Sequence, residues 1–539
     1  MASQTSAEVK IGDYGYSRWT LTEILRTNLA QRPGRMAVRS ADESYTYQEV
    51  WDESRRLAFA FREAGIKAGD RVLTMLDNSA EWAICLAALN FVGAVGVPVN
   101  VMYHGAILTH VVRDSQATAA VVEQHYLETL TSFDEGLLGT LIVRGGEGGD
   151  VISADRRLLS FSELRARRKS LDPVTTHPWD GALVGYTSGT TGNSKGVLIT
   201  QAHLICASDP DSIQKMTKGE EEVVYVVPPL FHILGIGAVI GAWVVGGEAH
   251  IAPRFSASTF VEDATRVGAT HTFLVAAMAD FLLQQPRRDS DAKCSIVTAY
   301  LNPVHSKHRE FTERFGIEIR SSYGSTEVGG VIVTGADIEA IERRSCGTPR
   351  PGVTIRLVDD NDLEVPVGQT GECLVRHQYP WTLCTEYIGN AEATATGWRN
   401  GWFHTGDLLR QDEDGYYYFV DRKKDAIRRR GENVSSVEVE REVRAHPDVV
   451  ECAVVAVDLA EFEQEIKVFA VRRTGAVLSE EVLAKFLADR LPRFAVPRFI
   501  QFVDEMPRTP TEKIRKQELR ARANEECWDR EVGRTVVPG

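Results

Sequence analysis

Apolar and polar positions follow two different periods along the first two-thirds of the chain. The run from Arg71 to Met75 is typical of a buried strand, the spacing from Ala80 to Val92 predicts a helix, and Gly96 to Val99 predicts the next strand. Strands that alternate with helices in this way indicate a parallel sheet covered by helices. From Leu21 onward, the sequence therefore predicts an α/β fold.

The pattern then changes to closely spaced strands and finally to a smaller α/β unit. Between Val353 and His377, short apolar stretches separated by polar turns predict antiparallel strands. The aromatic strand Tyr416 to Val420 runs into a charged segment, so a domain boundary is predicted near Asp421 to Asp425. Beyond it, the spacing predicts a helix over Val434 to Ala445, strands over Val449 to Val457 and Ile466 to Val471, and a helix over Glu480 to Leu491 capped by Ser479.

Composition excludes some classes of function. The chain has 539 residues, more than one core normally supports, so at least two folding units are expected. A net charge of -14 without a long basic block argues against a nucleic-acid partner. The eight cysteines form no Cys-x-x-Cys pair, which favours reduced thiols over a zinc site. The polar N-terminus does not resemble a signal peptide and no apolar run reaches membrane-spanning length, so cytoplasmic residence is expected.

One segment rich in glycine and hydroxyl groups carries the clearest chemical signal. It follows the apolar stretch Gly181 to Gly185 and reads, from Tyr186 to Val197, Tyr-Thr-Ser-Gly-Thr-Thr-Gly-Asn-Ser-Lys-Gly-Val. Glycines permit tight turns that present N–H groups, hydroxyls add donors, and the lysine adds positive charge, which together suit a polyphosphate. It does not fit a Walker A loop, because Lys195 lies between Ser194 and Gly196, where that motif needs glycine and then serine or threonine.

This segment resembles the signature of the adenylate-forming superfamily, which includes acyl-CoA synthetases, adenylation domains of nonribosomal peptide synthetases and beetle luciferases. Five further motifs follow in that family's order: Pro229-Leu230-Phe231-His232, Tyr323-Gly324-Ser325-Thr326-Glu327, Gly401-Trp402-Phe403-His404-Thr405-Gly406-Asp407, Asp421-Arg422-Lys423-Lys424-Asp425 and Pro507-Arg508-Thr509-Pro510-Thr511-Glu512-Lys513. The resemblance implies a large N-terminal domain of two α/β subdomains and a β-rich subdomain (1–421), a hinge (422–425) and a small, mobile C-terminal α+β domain (426–539).

The resemblance also implies a reaction and a nucleotide site. A carboxylic acid would be activated with ATP and Mg²⁺ to an acyl-adenylate, with release of pyrophosphate, and then transferred to coenzyme A. The residues expected to bind ATP are Thr187, Ser188, Gly189, Thr190, Thr191, Gly192, Lys195, Ser322, Tyr323, Gly324, Thr326, Asp407, Arg422 and Lys513. Tyr323 would stack on adenine, while the carboxylate of Asp407 and the guanidinium of Arg422 would hold the ribose.

Three residues are expected to take part in catalysis. Thr326 would donate to the α-phosphate, Glu327 would bind Mg²⁺, and Lys513 would bridge the acyl carboxylate and the α-phosphate. The substrate carboxylate itself attacks the α-phosphorus in this family, so no protein nucleophile is required.

Two features near the domain boundary are expected to serve the second half-reaction. Lys424 falls at the family's hinge position, about which the small domain would swing to deliver and remove Lys513. The loop with Arg430 and Gly431 resembles the one that lines the pantetheine tunnel. The arginines from Arg428 to Arg430 would either meet the phosphates of coenzyme A or be solvated.

The acyl pocket is expected at His232, Gly324, Tyr300 and Leu301. His232 argues against an amino-acid substrate, because amino-acid-activating domains place an aspartate nearby. Its alternative role is to cap a helix or to fill the core. Ala299-Tyr300-Leu301-Asn302-Pro303 replaces the usual Gly-Gly-Ala-Pro strip and would reshape the pocket floor. This variant most resembles the crotonobetaine/carnitine-CoA ligase branch, although no cluster of acids or aromatics forms a cage for a quaternary ammonium. Fatty, cyclic and secondary-metabolite acids remain open beside carnitine-like ones.

Two other functions remain open. A stand-alone adenylating enzyme would pass its acyl-adenylate to a carrier protein or to a separate thioester-forming enzyme. A non-catalytic nucleotide-binding module would be expected to lose Lys513, Glu327 or Asp407, and all three are present. The expected partners are a small carboxylic acid, ATP and coenzyme A, and a homodimer is the common state of soluble enzymes.

Overall fold

The structure is a computed structural model. It describes residues 10–41, 43–134, 136–146, 156–187, 194–209, 222–423, 425, 427–429, 432–460, 463–491, 493, 495–508, 513–522 and 525–538.

The first of two large sheets confirms the α/β prediction. Its described strands are, in spatial order, Arg157–Ser160, Thr140–Arg144, Ala119–Glu123, Arg71–Met75, Val95–Pro98, Gly181–Thr187 and Lys195–Thr200. Neighbours are parallel except for the last pair, which is antiparallel and flanks the glycine-rich segment. The helices in this part of the chain are Tyr47–Glu63, Ala80–Val92, Gly105–Ser115, Gln124–Phe133, Phe161–Arg165 and Gln201–Ala207.

Two of the three predicted elements in this sheet have the expected bounds. Strand Arg71–Met75 and helix Ala80–Val92 are confirmed at both ends, and the following strand is Val95–Pro98 rather than Gly96 to Val99. Ser79 caps the helix by accepting the N–H of Trp82 at 3.2 Å, and Gly93 ends it with a φ of 81°. The helix is apolar on all sides and is buried accordingly.

The second sheet repeats the same architecture. Its described strands are, in spatial order, Glu318–Arg320, Thr298–Asn302, His271–Val275, Val223–Val226, Glu248–Ile251, Met36–Arg39 and Ser44–Thr46, and only the last pair is antiparallel. Its helices are Leu21–Gln31, Ile233–Val245, Phe260–Arg266, Ala276–Gln284, His308–Phe315 and Ile338–Glu342, with short 3-10 turns at Tyr16–Arg18 and Asp291–Lys293. Residues of both large sheets contribute to one continuous apolar core.

Antiparallel strands follow, as the turn-rich sequence predicted. Ser322–Ser325, Gly329–Val333 and Thr348–Pro349 form one small sheet, and Val353–Val358, Thr370–His377, Phe403–Gln411 and Tyr417–Arg422 form another. Helix Ala391–Gly397 and the 3-10 turn Arg399–Gly401 precede the third strand of the latter.

The remaining chain forms a smaller unit with its own core. Strands Ile427–Arg429 and Glu432–Val434 pair with each other, and a larger sheet runs in the order Val449–Ala460, Glu463–Arg472, Phe499–Phe502, Cys527–Asp529, Arg534–Val536. The helices are Ser436–Arg444, Glu480–Ala488 and Lys516–Ala521. Ser479 caps the second helix as predicted, although this helix ends at Ala488 rather than Leu491. Within the described ranges, no helix has the length and apolar character needed to cross a membrane.

Candidate active site

The two strands that flank the glycine-rich segment hold its ends together. Thr187 ends one strand and Lys195 begins the next, and the two are paired in register. The imidazole Nε2 of His110 donates to the carbonyl oxygen of Ser194 at 2.7 Å. The predicted ATP-binding residues Ser188, Gly189, Thr190, Thr191 and Gly192 lie outside the described residues.

A helix beside this segment supplies anchors that sequence reasoning did not identify. His110 belongs to helix Gly105–Ser115, and Asp114 on the same helix accepts the hydroxyl of Tyr186 at 2.8 Å. Burial raises the pKa of Tyr186, so the phenol stays protonated and keeps this hydrogen bond. No family motif covers the helix, and only its regular amphipathic pattern is visible in the sequence.

Tyr323, Asp407 and Arg422 meet as the predicted nucleoside site requires. The hydroxyl of Tyr323 donates to Oδ2 of Asp407 at 2.8 Å, and Nε of Arg422 lies 3.5 Å from Oδ1 of the same carboxylate. Both Tyr323 and Asp407 are buried. Burial raises the pKa of Tyr323 well above its usual value, so it acts as a hydrogen-bond donor. Its ring stacks on Phe419, with centroids 6.3 Å apart.

The local backbone explains the glycine that follows Tyr323. A Cβ atom on Gly324 would lie 1.9 Å from the carbonyl oxygen of Gly329 on the paired strand, so no side chain fits there. The hydroxyl of Ser322 is buried and hydrogen-bonded to the hydroxyl of Tyr300 at 2.7 Å.

Glu327 and Lys195 approach each other around a tyrosine that the sequence analysis did not identify. The hydroxyl of Tyr387 donates to Oε1 of Glu327 at 3.1 Å. The ammonium nitrogen of Lys195 lies 4.9 Å from the centroid of the Tyr387 ring. The predicted metal ligand and the predicted phosphate-binding lysine therefore share one neighbour.

His232 caps a helix and also lines a small cavity. Its Nδ1 accepts the N–H of Leu234 at 3.1 Å and thereby caps helix Ile233–Val245. Its ring also lines a narrow cavity of about 20 Å³, which Thr326 shares. Burial, with a contribution from the positive charge of Lys513, lowers the pKa of His232 to about 4. The imidazole is therefore neutral near pH 7.

Lys513 belongs to the C-terminal unit and interacts electrostatically with two residues of the predicted site. Its charge contributes, after burial, to the lowered pKa of His232, and burial followed by the charge of Arg422 lowers its own pKa. The residue is nevertheless exposed to solvent. These electrostatic effects indicate that Lys513 lies in the neighbourhood of His232 and Arg422, which belong to motifs far from it in the sequence.

The strand at the predicted pocket floor points its side chains to two different sides. Tyr300 packs with Phe273, with ring centroids 5.4 Å apart, in the large core that also contains Tyr323. Leu301 is completely buried in a separate cluster with Leu274. Tyr300 therefore lies near the nucleoside site, while the structure places Leu301 in the core beyond the sheet.

One of the three arginines considered for coenzyme A is not available to it. Arg429 is 1% exposed, its Nη2 lies 2.6 Å from Oε2 of Glu465, and its Nη1 donates to the carbonyl oxygen of Val496 at 3.0 Å. This arginine is neither solvated nor free for a phosphate, because it is part of the core of the C-terminal unit. Lys424, Arg430 and Gly431 lie outside the described residues.

The single carboxylate predicted to bind a metal ion, Glu327, is of the type that Mg²⁺ prefers. Among the described residues, no three histidines, cysteines, aspartates or glutamates cluster as a metal site. Mg²⁺ is commonly held by one or two carboxylates together with substrate phosphates, so a lone Glu327 beside the glycine-rich segment fits this ion.

Solved structures and characterised proteins resemble this chain over nearly its whole length. An anthranilate CoA ligase, AuaEII, solved with anthranoyl-AMP, has a TM-score of 0.83 and 26% identity, covering 95% of this chain and 98% of that one. A benzoate CoA ligase from Burkholderia xenovorans has a TM-score of 0.80 and 26% identity, with 94% and 100% covered. The crotonobetaine/carnitine–CoA ligase of Salmonella typhimurium is 33% identical over 490 residues, which cover 88% of this chain and 93% of the relative.

Two family models divide the chain between them. The model for the AMP-binding enzyme C-terminal domain matches residues 438–513, which include Lys513. The AMP-binding enzyme model matches residues 25–383 and covers the glycine-rich segment, His232, Tyr323 and Glu327. The chain belongs to the AMP-binding enzyme family.

Proposed function

We propose that this protein is an AMP-forming acid–thiol ligase that adenylates a carboxylic acid and transfers the acyl group to coenzyme A. The observation that carries the proposal is the buried cluster in which the hydroxyl of Tyr323 donates to Asp407 and Arg422 approaches the same carboxylate. Lys513 of the small unit is the cation expected beside it, because its charge contributes, after burial, to the lowered pKa of His232, and burial followed by the charge of Arg422 lowers its own pKa.

Adenylation needs positive charge where the carboxylate meets the α-phosphate. The carboxylate oxygen attacks the α-phosphorus, the bond to the β-phosphate oxygen breaks, and pyrophosphate leaves. Lys513 would hold both anionic groups during this step, and the Thr326 hydroxyl would donate to the α-phosphate. Mg²⁺, with Glu327 as its protein ligand, would supply the charge that offsets the phosphates.

Coenzyme A is the acceptor that the relatives support. The similar proteins named above are CoA ligases of an anthranilate, a benzoate and a betaine-type acid. The alternative acceptors are a carrier protein and a separate thioester-forming enzyme. Thioester formation would require the small unit to turn about Lys424 and to withdraw Lys513. A Lys424→Pro variant should then retain pyrophosphate exchange and lose thioester formation; equal loss of both half-reactions would contradict the hinge.

The acid itself should carry no positive charge near its carboxylate. The cavity is lined by neutral groups, and none of the residues that form it is an aspartate or glutamate: Pro98, Leu183, Gly185, Tyr186, Ile199, Phe231, His232, Ile233, Ile236 and Thr326. An ammonium group buried here would lack an ionic partner. We therefore favour acids that carry no ammonium group beside the carboxylate over amino acids.

The deciding experiment offers the protein a panel of fatty, aromatic, betaine-type and polycyclic acids with ATP and Mg²⁺. Mass spectrometry would detect adenylate and thioester with and without coenzyme A. A thioester that depends on coenzyme A establishes the ligase and identifies its acid. An adenylate without thioester indicates another acceptor, and the absence of any adenylate contradicts the proposal.

The proposal also covers the domain boundary, the cellular compartment and the oligomeric state. We place the domain boundary at 422–425, between the last strand of the β-rich sheet and the pair that begins at Ile427. All eight cysteines lie in described residues and none forms a disulfide, which supports a reducing, cytoplasmic environment. A homodimer is proposed and would be measured by light scattering.

A further inference from the structure

We propose that Tyr387 is a positioning residue that keeps Lys195 and Glu327 apart and directs both toward the bound nucleotide and its Mg²⁺. The inference rests on the proposed function, because it assigns a role at the same nucleotide site. Tyr387 lies outside every motif that the sequence analysis identified.

The backbone of Tyr387 is fixed to the strand that leaves the glycine-rich segment. The N–H of Leu198 donates to the carbonyl oxygen of Glu386 at 3.0 Å, and the N–H of Ile388 donates to that of Gly196 at 2.8 Å. Val197 and Tyr387 form an antiparallel bridge between these two bonds. The tyrosine therefore moves with the strand that begins at Lys195.

The side chain of Tyr387 contacts the two charged groups in different ways. The face of its ring receives the ammonium group of Lys195, and its hydroxyl donates to the carboxylate of Glu327 at 3.1 Å. The carboxylate of Glu327 can only accept, so the phenol is the donor in this bond.

The position of Tyr387 disfavours an ion pair between Lys195 and Glu327. A lysine and a glutamate that share one neighbour would neutralise each other if they formed an ion pair, and neither would then be directed at the ligand. No ion pair joins Lys195 and Glu327 where the structure describes the chain, and the ring of Tyr387 occupies a position beside both. The hydroxyl also uses one lone pair of Glu327, which leaves the second oxygen for the metal ion.

The chain offers a closely matched control in Tyr416. Its hydroxyl donates to Oδ2 of Asp337 at 2.5 Å, and the guanidinium carbon of Arg343 lies 5.1 Å from its ring centroid. Tyr416 thus has the same pair of contacts, a carboxylate and a cation, on a different part of the N-terminal unit. Tyr416→Phe removes the same hydroxyl without touching the nucleotide site.

Titration calorimetry of ATP binding, with Mg²⁺ and with EDTA, tests the role without any knowledge of the acid. Tyr387→Phe keeps the ring and should weaken binding of ATP with Mg²⁺ about tenfold, the usual effect of losing a hydrogen bond to a charged group. Binding in EDTA should change much less, and Tyr416→Phe should match the wild type in both conditions. Thermal unfolding would confirm that both variants fold.

Two results would overturn the inference. One is a Tyr387→Phe variant that binds ATP with Mg²⁺ as tightly as the wild type. The other is equal weakening with Mg²⁺ and with EDTA, which would indicate a general structural role. A different result would contradict the proposed function: the wild type would bind ATP with Mg²⁺ but form no adenylate with any acid.

Discussion

Asp407 offers the sharpest test of the nucleoside site, through the substitution Asp407→Asn. Asparagine has nearly the same size and keeps an oxygen that can accept the hydroxyl of Tyr323, which lies 2.8 Å from Oδ2. The substitution removes the negative charge of the carboxylate. Nε of Arg422 lies 3.5 Å from Oδ1 of this carboxylate, which would also accept the ribose hydroxyls. The substitution therefore separates the charge of this buried group from its shape.

The expected loss of ATP affinity follows from the hydrogen bonds that the ribose would make to a charged Asp407. Hydrogen bonds to charged groups contribute about 1.5–3 kcal/mol each, and about 1.4 kcal/mol corresponds to a tenfold change in affinity. Asp407→Asn should therefore weaken binding of ATP with Mg²⁺ by about 10- to 100-fold in titration calorimetry. Thermal unfolding should change little, because Tyr323 retains an acceptor.

Asp412 provides the control for this substitution. It accepts the hydroxyl of Tyr418 at 2.7 Å and lies 3.4 Å from Nη1 of Arg343, so it makes the same two kinds of contact at the surface. Asp412→Asn should leave nucleotide affinity unchanged. If Asp407→Asn also binds ATP as the wild type does, the assignment of Asp407 to the ribose is wrong. Equal loss of affinity in both variants would refute the same reasoning, since a general loss of stability would explain it.

Three further predictions concern the C-terminal unit and its lysine. Lys513→Ala should lower pyrophosphate exchange at least about 100-fold while leaving ATP binding nearly intact, because the charge of this lysine acts mainly in the transition state. Lys485→Ala, at an exposed lysine, is the control. Wild-type exchange in Lys513→Ala would contradict the catalytic role. Burial and then the charge of Arg422 lower the pKa of Lys513. Activity should therefore fall as pH rises through that lowered pKa, and Arg422→Gln should move the fall to higher pH in a kcat–pH profile. An unchanged profile would show that Arg422 does not influence the pKa of Lys513. Arg429→Met removes the guanidinium that pairs with the buried carboxylate of Glu465 and should lower the free energy of unfolding by about 3–5 kcal/mol. Arg441→Met, at an exposed pair with Glu442, should cost less than about 1 kcal/mol in the same denaturant titration.

Elements with local boundary signals could be predicted from the sequence. Helix Ala80–Val92 lies between a serine cap and a glycine that takes a positive φ, and both signals are local. The helix after Ser479 shows the limit, because its apolar spacing continues past Ala488, where the helix ends. The order of strands could not be predicted: Met36–Arg39 pairs with Glu248–Ile251, and only the folded chain makes these two segments neighbours.

The site was predictable where a family motif carried it and not where contacts between motifs built it. Tyr323, Asp407 and Arg422 were identified and do meet. Tyr387 was missed because its partner Glu327 is 60 positions away and no periodic pattern marks it. The reading of Arg429 as solvated or phosphate-binding was wrong for a related reason, since its partner Glu465 lies in a strand that the linear sequence does not connect to it.

The state of His232 bears on the choice of substrate. Its Nδ1 accepts a backbone N–H, and its pKa of about 4 makes the ring neutral near pH 7, so the single ring proton must reside on Nε2. The imidazole can therefore offer the cavity a hydrogen-bond donor but neither an acceptor nor a base. Such a donor suits a carboxylate or acyl oxygen and repels the N–H groups of an ammonium. Burial, with a smaller contribution from the positive charge of Lys513, keeps the ring in this form. The residue that would activate the acid therefore also helps to exclude amino acids.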